Sequence, residues 1–294
     1  MKMLNIACGS RYHRDWINIY IHPVSKDVIR VNVLKGLPFE DSYFDVVYTS
    51  HFLEHLNLQQ ARFVLKEVYR VLKKGGIVRI VVPDLENICR EYITILEKVL
   101  EDEQNFREKY QWIVIELLDQ LVRTVPGGEM KKFFDYVVKN KNKELADYIQ
   151  YRIGEKLLGS GKEYQVEGDI EGVKRSNLNV VRQKLQIAKQ KFKNLNKDKI
   201  KNKLLYLYLN LISYLIPKSI RDSVLVRTSI FERHQFMYDR YSLKILLEEV
   251  GFSNIQFLSY NQSNIPNFNT FFLDINPDGT PYKGFSSLYC EATK

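Results

Sequence analysis

The run GIVRIVVP at 76–83 constrains the fold more than any other stretch. It is short and rich in β-branched residues. Gly75 and Gly76 stand at its start, and Pro83-Asp84 ends it. Such a run reads as a strand buried on both faces, the kind that lies inside a parallel sheet. Three similar runs and one shorter one precede it. LNIAC (4–8), WINIYI (16–21), VIRVNV (28–33) and FDVVYTS (44–50) are all strand-like. Between the last of these and GIVRIVVP lies a helix pattern. Leu58, Ala61, Leu65, Val68 and Leu72 recur at spacings of three and four, which makes one apolar face. Asn57 caps this helix, with Gln60 three positions on as in a capping box. Lys73 and Lys74 suit its C-terminus, and Gly75-Gly76 stops it. Strands separated by crossover helices argue for an open, mostly parallel α/β sheet of about seven strands.

Asp84 caps a further helix, whose face carries Leu85, Ile88, Tyr92, Ile95 and Val99. Strand signals then vanish, and 85–228 reads as almost wholly helical. Near the end, YSLKILLEEVGF (241–252) is a helix capped by Ser242 and stopped by Gly251. SNIQFLSY (253–260) and SSLYCEAT (286–293) follow as strands, with turn-rich IPNFN and INPDGTPY between them. The expected organisation is therefore one α/β domain over 1–86 and 230–294, interrupted by a helical lid or substrate region over 87–229.

The chain has 294 residues, 45% of them hydrophobic, enough for a sizeable core. Its three cysteines, Cys8, Cys89 and Cys290, are far apart and show no metal-ligand spacing. That excludes a disulfide framework and points to a reducing, cytoplasmic compartment. The N-terminus, MKMLNIACGS, carries no signal-peptide pattern. Net charge is +9, but residues 174–203 hold eleven Lys and Arg against the single acid Asp198. The remainder of the chain is close to neutral, so basicity argues about that segment alone.

LNIACGS ends a strand in a sharp turn. In open α/β sheets, ligands bind beyond the carboxyl ends of the strands. Gly9 lets the backbone approach a ligand there, and backbone N–H groups can meet an anion. The dinucleotide fingerprint G-x-G-x-x-G is absent, because Ala7 stands where its first glycine would; a nicotinamide dehydrogenase is disfavoured.

The series LNIACGSRYHRDWINI, LPFEDSYFDVVYTSHFLEHL and LKEVYRVLKKGGIVRIVVPDL resembles class I S-adenosylmethionine-dependent methyltransferases across residues 4–86. The resemblance resumes at HQFMYDRYSLKILLEEVGF (234–252) and in the closing strands. WIVIELLDQLVRTVPGGEM (112–130) resembles, more weakly, a branch associated with cell-surface polysaccharide and glycan modification. By this resemblance Ala7, Cys8 and Gly9 wrap the methionine part of S-adenosylmethionine. Asn32 and Val33 lie at the adenine, and Ser50 and His51 flank the sulfonium and the acceptor. The family's second strand usually ends in an acid that holds both ribose hydroxyls; here the matching residue is Tyr20. A phenol offers one uncharged oxygen, and the loss of a charge-assisted bond costs about 1.5–3 kcal/mol. Asp15, Asp27 and Asp41 are the loop acids that could substitute.

Methyl transfer is an in-line displacement, so the protein's work is alignment and exclusion of water. A hydroxyl acceptor also profits from a general base near neutral pKa, which suits histidine. His51, His55 and His234 are the candidates. HFLEH (51–55) also fits H-x-x-E-H, an inverted zinc-protease motif, which demands the middle of a helix. Here His51 follows a strand. Arg123 in the insertion, and Tyr238 and Asp239 behind His234, are candidate acceptor contacts. With them, Asp119 and Gln120 suit a sugar's hydroxyls.

The basic run leads into the tyrosine-rich apolar segment LLYLYLNLISYLI (204–216). Phe192 is the one aromatic in the run, so base stacking is poorly provided for and nucleic acid is disfavoured. A basic helix followed by an apolar one suits an anionic membrane surface, which would place the chain at the inner membrane face. A spanning helix needs about 20 apolar residues, more than this segment has. The reading that results is O-methylation of a sugar hydroxyl on a glycan or glycolipid precursor. A non-catalytic scaffold, motivated by Tyr20, and a zinc hydrolase, motivated by HFLEH, are its rivals.

Overall fold

Seven strands pair into one sheet in the order β3-β2-β1-β4-β5-β7-β6. They are β1 (Met3–Ile6), β2 (Ile17–Tyr20), β3 (Val28–Arg30), β4 (Phe44–Ser50), β5 (Leu72–Pro83), β6 (Ser253–Leu258) and β7 (Ser287–Thr293). The structure is a computed structural model that describes residues 1–23, 25–159, 208, 211–212, 216–217 and 232–294. The first five strands run parallel, with Leu4 opposite Val47 and Ser50 opposite Val81. β7 enters antiparallel between β5 and β6, with Pro83 opposite Ser287. This is the expected α/β sheet, mostly parallel and Rossmann-like.

The crossovers differ from expectation. α1 (Leu58–Val71) is the one α-helix before β5 among the described residues. Loops of 7–16 and 21–27 suffice between the first three strands, and a short 3-10 turn at Val33–Lys35 interrupts the connection to β4. Two strand asparagines support the first loop. Asn5 Nδ2 donates to the Arg11 carbonyl and to Asn18 Oδ1, both at 3.2 Å, and Asn18 Nδ2 donates to the His13 and Trp16 carbonyls. Both asparagines are buried, so unmade bonds there would be costly.

α1 starts as predicted: Asn57 and Gln60 form a reciprocal capping box. It ends earlier. Leu72 already pairs with Phe44, and the register shifts before Ile77 meets Val46, so Lys73–Gly76 belong to an irregular start of β5. α6 (Arg240–Val250) is capped by Asp239, not by Ser242; Ser242 is its third residue and bonds back to the cap. Gly251 stops it in the left-handed conformation.

α1 and α6 pack on one sheet face through Ala61, Leu65, Val68, Leu243 and Leu247. The other face is covered by Trp16, Ile265, Phe268 and Leu273, with Met3, Val46, Val81 and Tyr289 beneath. After β5 come α2 (Leu85–Glu101), α3 (Glu103–Val122), α4 (Gly128–Asn140) and α5 (Lys143–Ile153). Trp112, Val137 and Ile149 make a separate core among α3, α4 and α5. The chain divides into two compact units, Met1–Tyr164 with Thr228–Lys294, and Gln165–Arg227. Helices α2 to α5 fall in the same compact unit as the sheet. The basic run 174–203 and nearly all of 204–216 lie outside the described residues, and with them the expected membrane-facing surface. Among the described residues no helix is long and apolar enough to cross a membrane.

Candidate active site

Parallel strands bring their carboxyl ends to one edge, and the loops after β1, β2 and β4 converge there. Antiparallel β7 starts at that same edge, opposite Pro83. Three cavities adjoin along it. The first, about 210 Å³, is lined by Ala7, Cys8, Gly9, Tyr20, Ser50 and His51, with Asn5, Arg11, His55, Tyr282 and Lys283 among the rest. A second of about 150 Å³ shares Ala7, Tyr20 and Phe52 with it. Its walls are mostly apolar, from Val31, Val33, Leu34 and Leu56, with Asn32 and Gln60 as polar contacts. A third of about 200 Å³ shares His51 and Lys283 with the first. Ile88, Phe134, Met130 and Met237 line it beside Glu116, Gln120, Glu155 and His234.

All the expected cofactor residues therefore line two adjoining cavities. Ala7 and Gly9 both adopt φ of 55°, a left-handed pair that turns the chain sharply after β1. Cys8 sits buried between them, and burial pushes its thiol up to about 11, so it stays protonated at neutral pH. Asn32 accepts from Leu34 N at 3.1 Å and so shapes the turn that forms the apolar cavity. Tyr20 stands at the junction of the two. Asp27 lies 3.9 Å from Arg14, Asp41 is bonded to Arg70 at 2.7 Å, and Asp15 lies beside His13. None of these three acids lines the cavities, and no carboxylate does among their described lining residues.

His51 joins the first cavity to the third. Its φ of 48° is strained for a side chain of that size. Its Nε2 is 3.0 Å from Ser287 Oγ, and its Nδ1 is 3.5 Å from Glu54 Oε1. Desolvation, then the charge of Lys283, holds its pKa well below the usual histidine value, so the ring is neutral. His55 is lowered too, by burial first. His234 is buried, and desolvation brings it down to about 3. The rings of His55 and His234 meet edge to face at 5.1 Å. The three candidate histidines are thus gathered in one place. HFLEH runs from the end of β4 into a 3-10 turn, Leu53–His55, and so lacks the helix its protease motif requires.

The predicted acceptor contacts fare differently. Arg123 is tied to Asp119, which also accepts from Glu129 N at 2.7 Å; neither lines a cavity described above. Of Asp119, Gln120 and Arg123, Gln120 alone reaches the third cavity. Tyr238 is fully buried in the core beside Leu243, and Asp239 is spent on capping α6. These are corrections: Arg123, Tyr238 and Asp239 support the walls and do not face the space.

Lys283, Tyr282 and Arg11 were missed by sequence reasoning. Arg11 stacks over Tyr282 at 4.1 Å and donates to the Ile275 carbonyl at 2.7 Å. No spacing or pattern marks them, because the antiparallel strand that carries 282–283 to the site is a tertiary event.

No curated protein matches the chain. Among solved structures, a SAM-dependent methyltransferase from Archaeoglobus fulgidus is 14% identical, covering all of this chain and 86% of its own, at TM-score 0.35. A possible histamine N-methyltransferase from Thermotoga maritima is 12% identical, covering 100% and 82%, at TM-score 0.37. The 4+2 cyclase SpnF is 24% identical over 28% of this chain, at TM-score 0.24, and the chain spans only 38% of its length. The segment from β1 into β5, which supplies most of the lining of the first two cavities, matches the family described as a methyltransferase domain, over residues 5–80.

Proposed function

We propose that this chain is an S-adenosylmethionine-dependent methyltransferase that methylates a hydroxyl of a sugar on a glycan or glycolipid precursor. The observation that carries the reading is the run of adjoining cavities at one sheet edge. An apolar pocket at Asn32 and Val33 suits an adenine. Tyr20 stands where a ribose follows, and the Ala7–Gly9 turn cradles the methionine part. Arg11 and Lys283 supply positive charge for its carboxylate. When bound, the cofactor supplies an electrophilic methyl group on a sulfonium.

The rest is the protein's work. His51, neutral and at the join between cavities, is positioned to take the acceptor's proton. Ser287 at its Nε2 holds the ring, and Glu54 Oε1 lies 3.5 Å from its Nδ1. The third cavity mixes Glu116, Gln120 and Glu155 with Phe134. Glu116 is held by Arg152 and Trp112, while Gln120 and Glu155 match sugar hydroxyls and an aromatic face suits the sugar ring's C–H surface.

Calorimetric titration with S-adenosylmethionine and S-adenosylhomocysteine tests the reading. Micromolar binding is expected. Tyr20→Asp is expected to tighten it by about tenfold to a hundredfold, the worth of one charge-assisted bond. Absence of binding by folded protein, together with gain in Tyr20→Asp, would instead favour a non-catalytic scaffold that has lost the site.

A further inference from the structure

Glu54 is the anomaly of this site. It is fully buried, and neither carboxylate oxygen has a hydrogen-bond partner. Buried carboxylates are normally hydrogen-bonded, ion-paired or bound to metal. What faces this one is imidazole: His51 Nδ1 at 3.5 Å and His55 Nε2 at 3.8 Å from Oε1. One ligand atom each from Glu54, His55 and His234 lies within 4.8 Å of the others.

The tautomer of His55 is set by its surroundings. Its Nδ1 is 2.9 Å from the Arg233 carbonyl, which can only accept, so Nδ1 carries the proton. The lone pair is then on Nε2, toward Glu54. A ligating histidine whose other nitrogen donates to a backbone carbonyl is the usual outer-shell arrangement of metal sites. The backbone locks the group together. The Glu54 carbonyl accepts from Gln235 N at 2.6 Å and Phe236 N at 3.2 Å, and His234 N donates to the Gln120 carbonyl at 2.9 Å. Arg123, whose charge reaches His55 and His234, is itself paired with Asp119.

We propose that Glu54, His55 and His234 form a binding site for a divalent first-row transition metal, with zinc as its best match. Two imidazoles and one carboxylate are too nitrogen-rich for magnesium or calcium, and they leave a coordination position open. Ligand atoms around a tetrahedral zinc stand about 3.4 Å apart, from bond lengths of about 2.0–2.1 Å. The Glu54–His55 separation needs only a small closure to reach that. His55 lines the first cavity and His234 the third. A cation held between them would bind an acceptor oxygen and favour its deprotonation. That role rests on the methyl-transfer reading; the metal site does not.

Full-length protein is stripped with chelator, dialysed and titrated with zinc chloride by calorimetry. A separate titration with S-adenosylmethionine is run in chelator. The wild type is expected to bind one zinc per chain. Glu54→Gln and His234→Ala, each with a wild-type circular dichroism spectrum, are expected to weaken binding at least tenfold. If Glu54→Gln does not fold, His234→Ala decides. No stoichiometric zinc in the wild type, or unchanged affinity in the folded variants, overturns the site. Zinc retained without cofactor binding would end the methyltransferase reading alone; cofactor binding without zinc would end this proposal alone.

Discussion

Replacing Arg79 with Met is expected to cost more stability than any surface change in this chain. Arg79 sits within β5 and is fully buried. Its Nε donates to Asp274 Oδ2 at 2.6 Å, and its Nη1 donates to Glu291 Oε1 at 2.7 Å and to the Gln262 carbonyl at 2.9 Å. Its guanidinium also lies 4.7 Å from the centre of the Phe268 ring. Both carboxylates are about as buried as the arginine. Methionine fills much of the volume but leaves two buried acids with no cation. Removing one partner of a buried charge network costs about 3–5 kcal/mol. For a chain of this size each kcal/mol moves the melting temperature by about 2–4 °C, so a fall of about 6–20 °C is expected. Circular dichroism melts at pH 7 measure it.

The pH dependence gives a second reading of the same variant. Burial already raises the Asp274 pKa, and Arg79 is the strongest influence holding it down. Without Arg79 it rises further. A carboxyl whose folded pKa exceeds its unfolded value keeps full stability below the unfolded pKa, about 3.9 for aspartate. Stability is then lost as pH climbs toward the folded pKa. The variant's deficit should therefore be larger at pH 8 than at pH 5. A fall of less than about 2 °C at pH 7, or a deficit that shrinks as pH rises, would refute the reasoning.

Three further outcomes are expected. His51→Ala should lower turnover by about a hundredfold or more, the usual worth of a general base, while S-adenosylmethionine affinity in calorimetry stays within threefold; undiminished turnover removes it as base. With Ellman's reagent at pH 8, the exposed Cys89 should react first in native protein. Cys8 and Cys290, buried and raised to about 11 and about 12, should react only on unfolding. Fast reaction of all three without denaturant would contradict that burial. Deleting 174–216 should abolish co-sedimentation with anionic vesicles, and neutral vesicles should not bind the intact chain. Equal binding to both vesicle types would refute membrane docking through that basic run.

Much of the α/β frame was legible because local chemistry and tertiary structure agree there. FDVVYTS is β4 residue for residue, and Asn57 with Gln60 caps α1 as the pattern indicates. Disagreement begins where a long-range bond wins. Leu72 continues the apolar helix period, yet its backbone pairs with Phe44 and starts β5. Asp239 outcompetes Ser242 as the cap because it precedes the helix in extended conformation and accepts from Ser242 N at 2.7 Å. The residues expected at a cofactor, which the family resemblance marked, do line two of the cavities. The acceptor contacts were not, since polar residues near a motif serve walls as readily as sites. Arg123 found Asp119 one helical turn away, and Tyr238 found the core.

The least legible part of the site also adds to its electrostatics, behind burial. Lys283 depresses His51 and His55, yet it is far from both in sequence and carries no motif. It arrives because β7 runs antiparallel and begins at the edge where the parallel strands end. The segment leading to it is tied down by Asp274, whose carbonyl accepts from Tyr282 N at 2.8 Å and whose side chain binds Arg79 and Tyr48. One buried network thus links the second core of the sheet to the cation at the mouth of two cavities. Arg79→Met should therefore loosen cofactor binding as well as lower the melting temperature, though Arg79 lines none of the three cavities. If affinity for S-adenosylmethionine is unchanged in the folded variant at low temperature, Tyr282 and Lys283 are held in place by the Arg11 contacts instead.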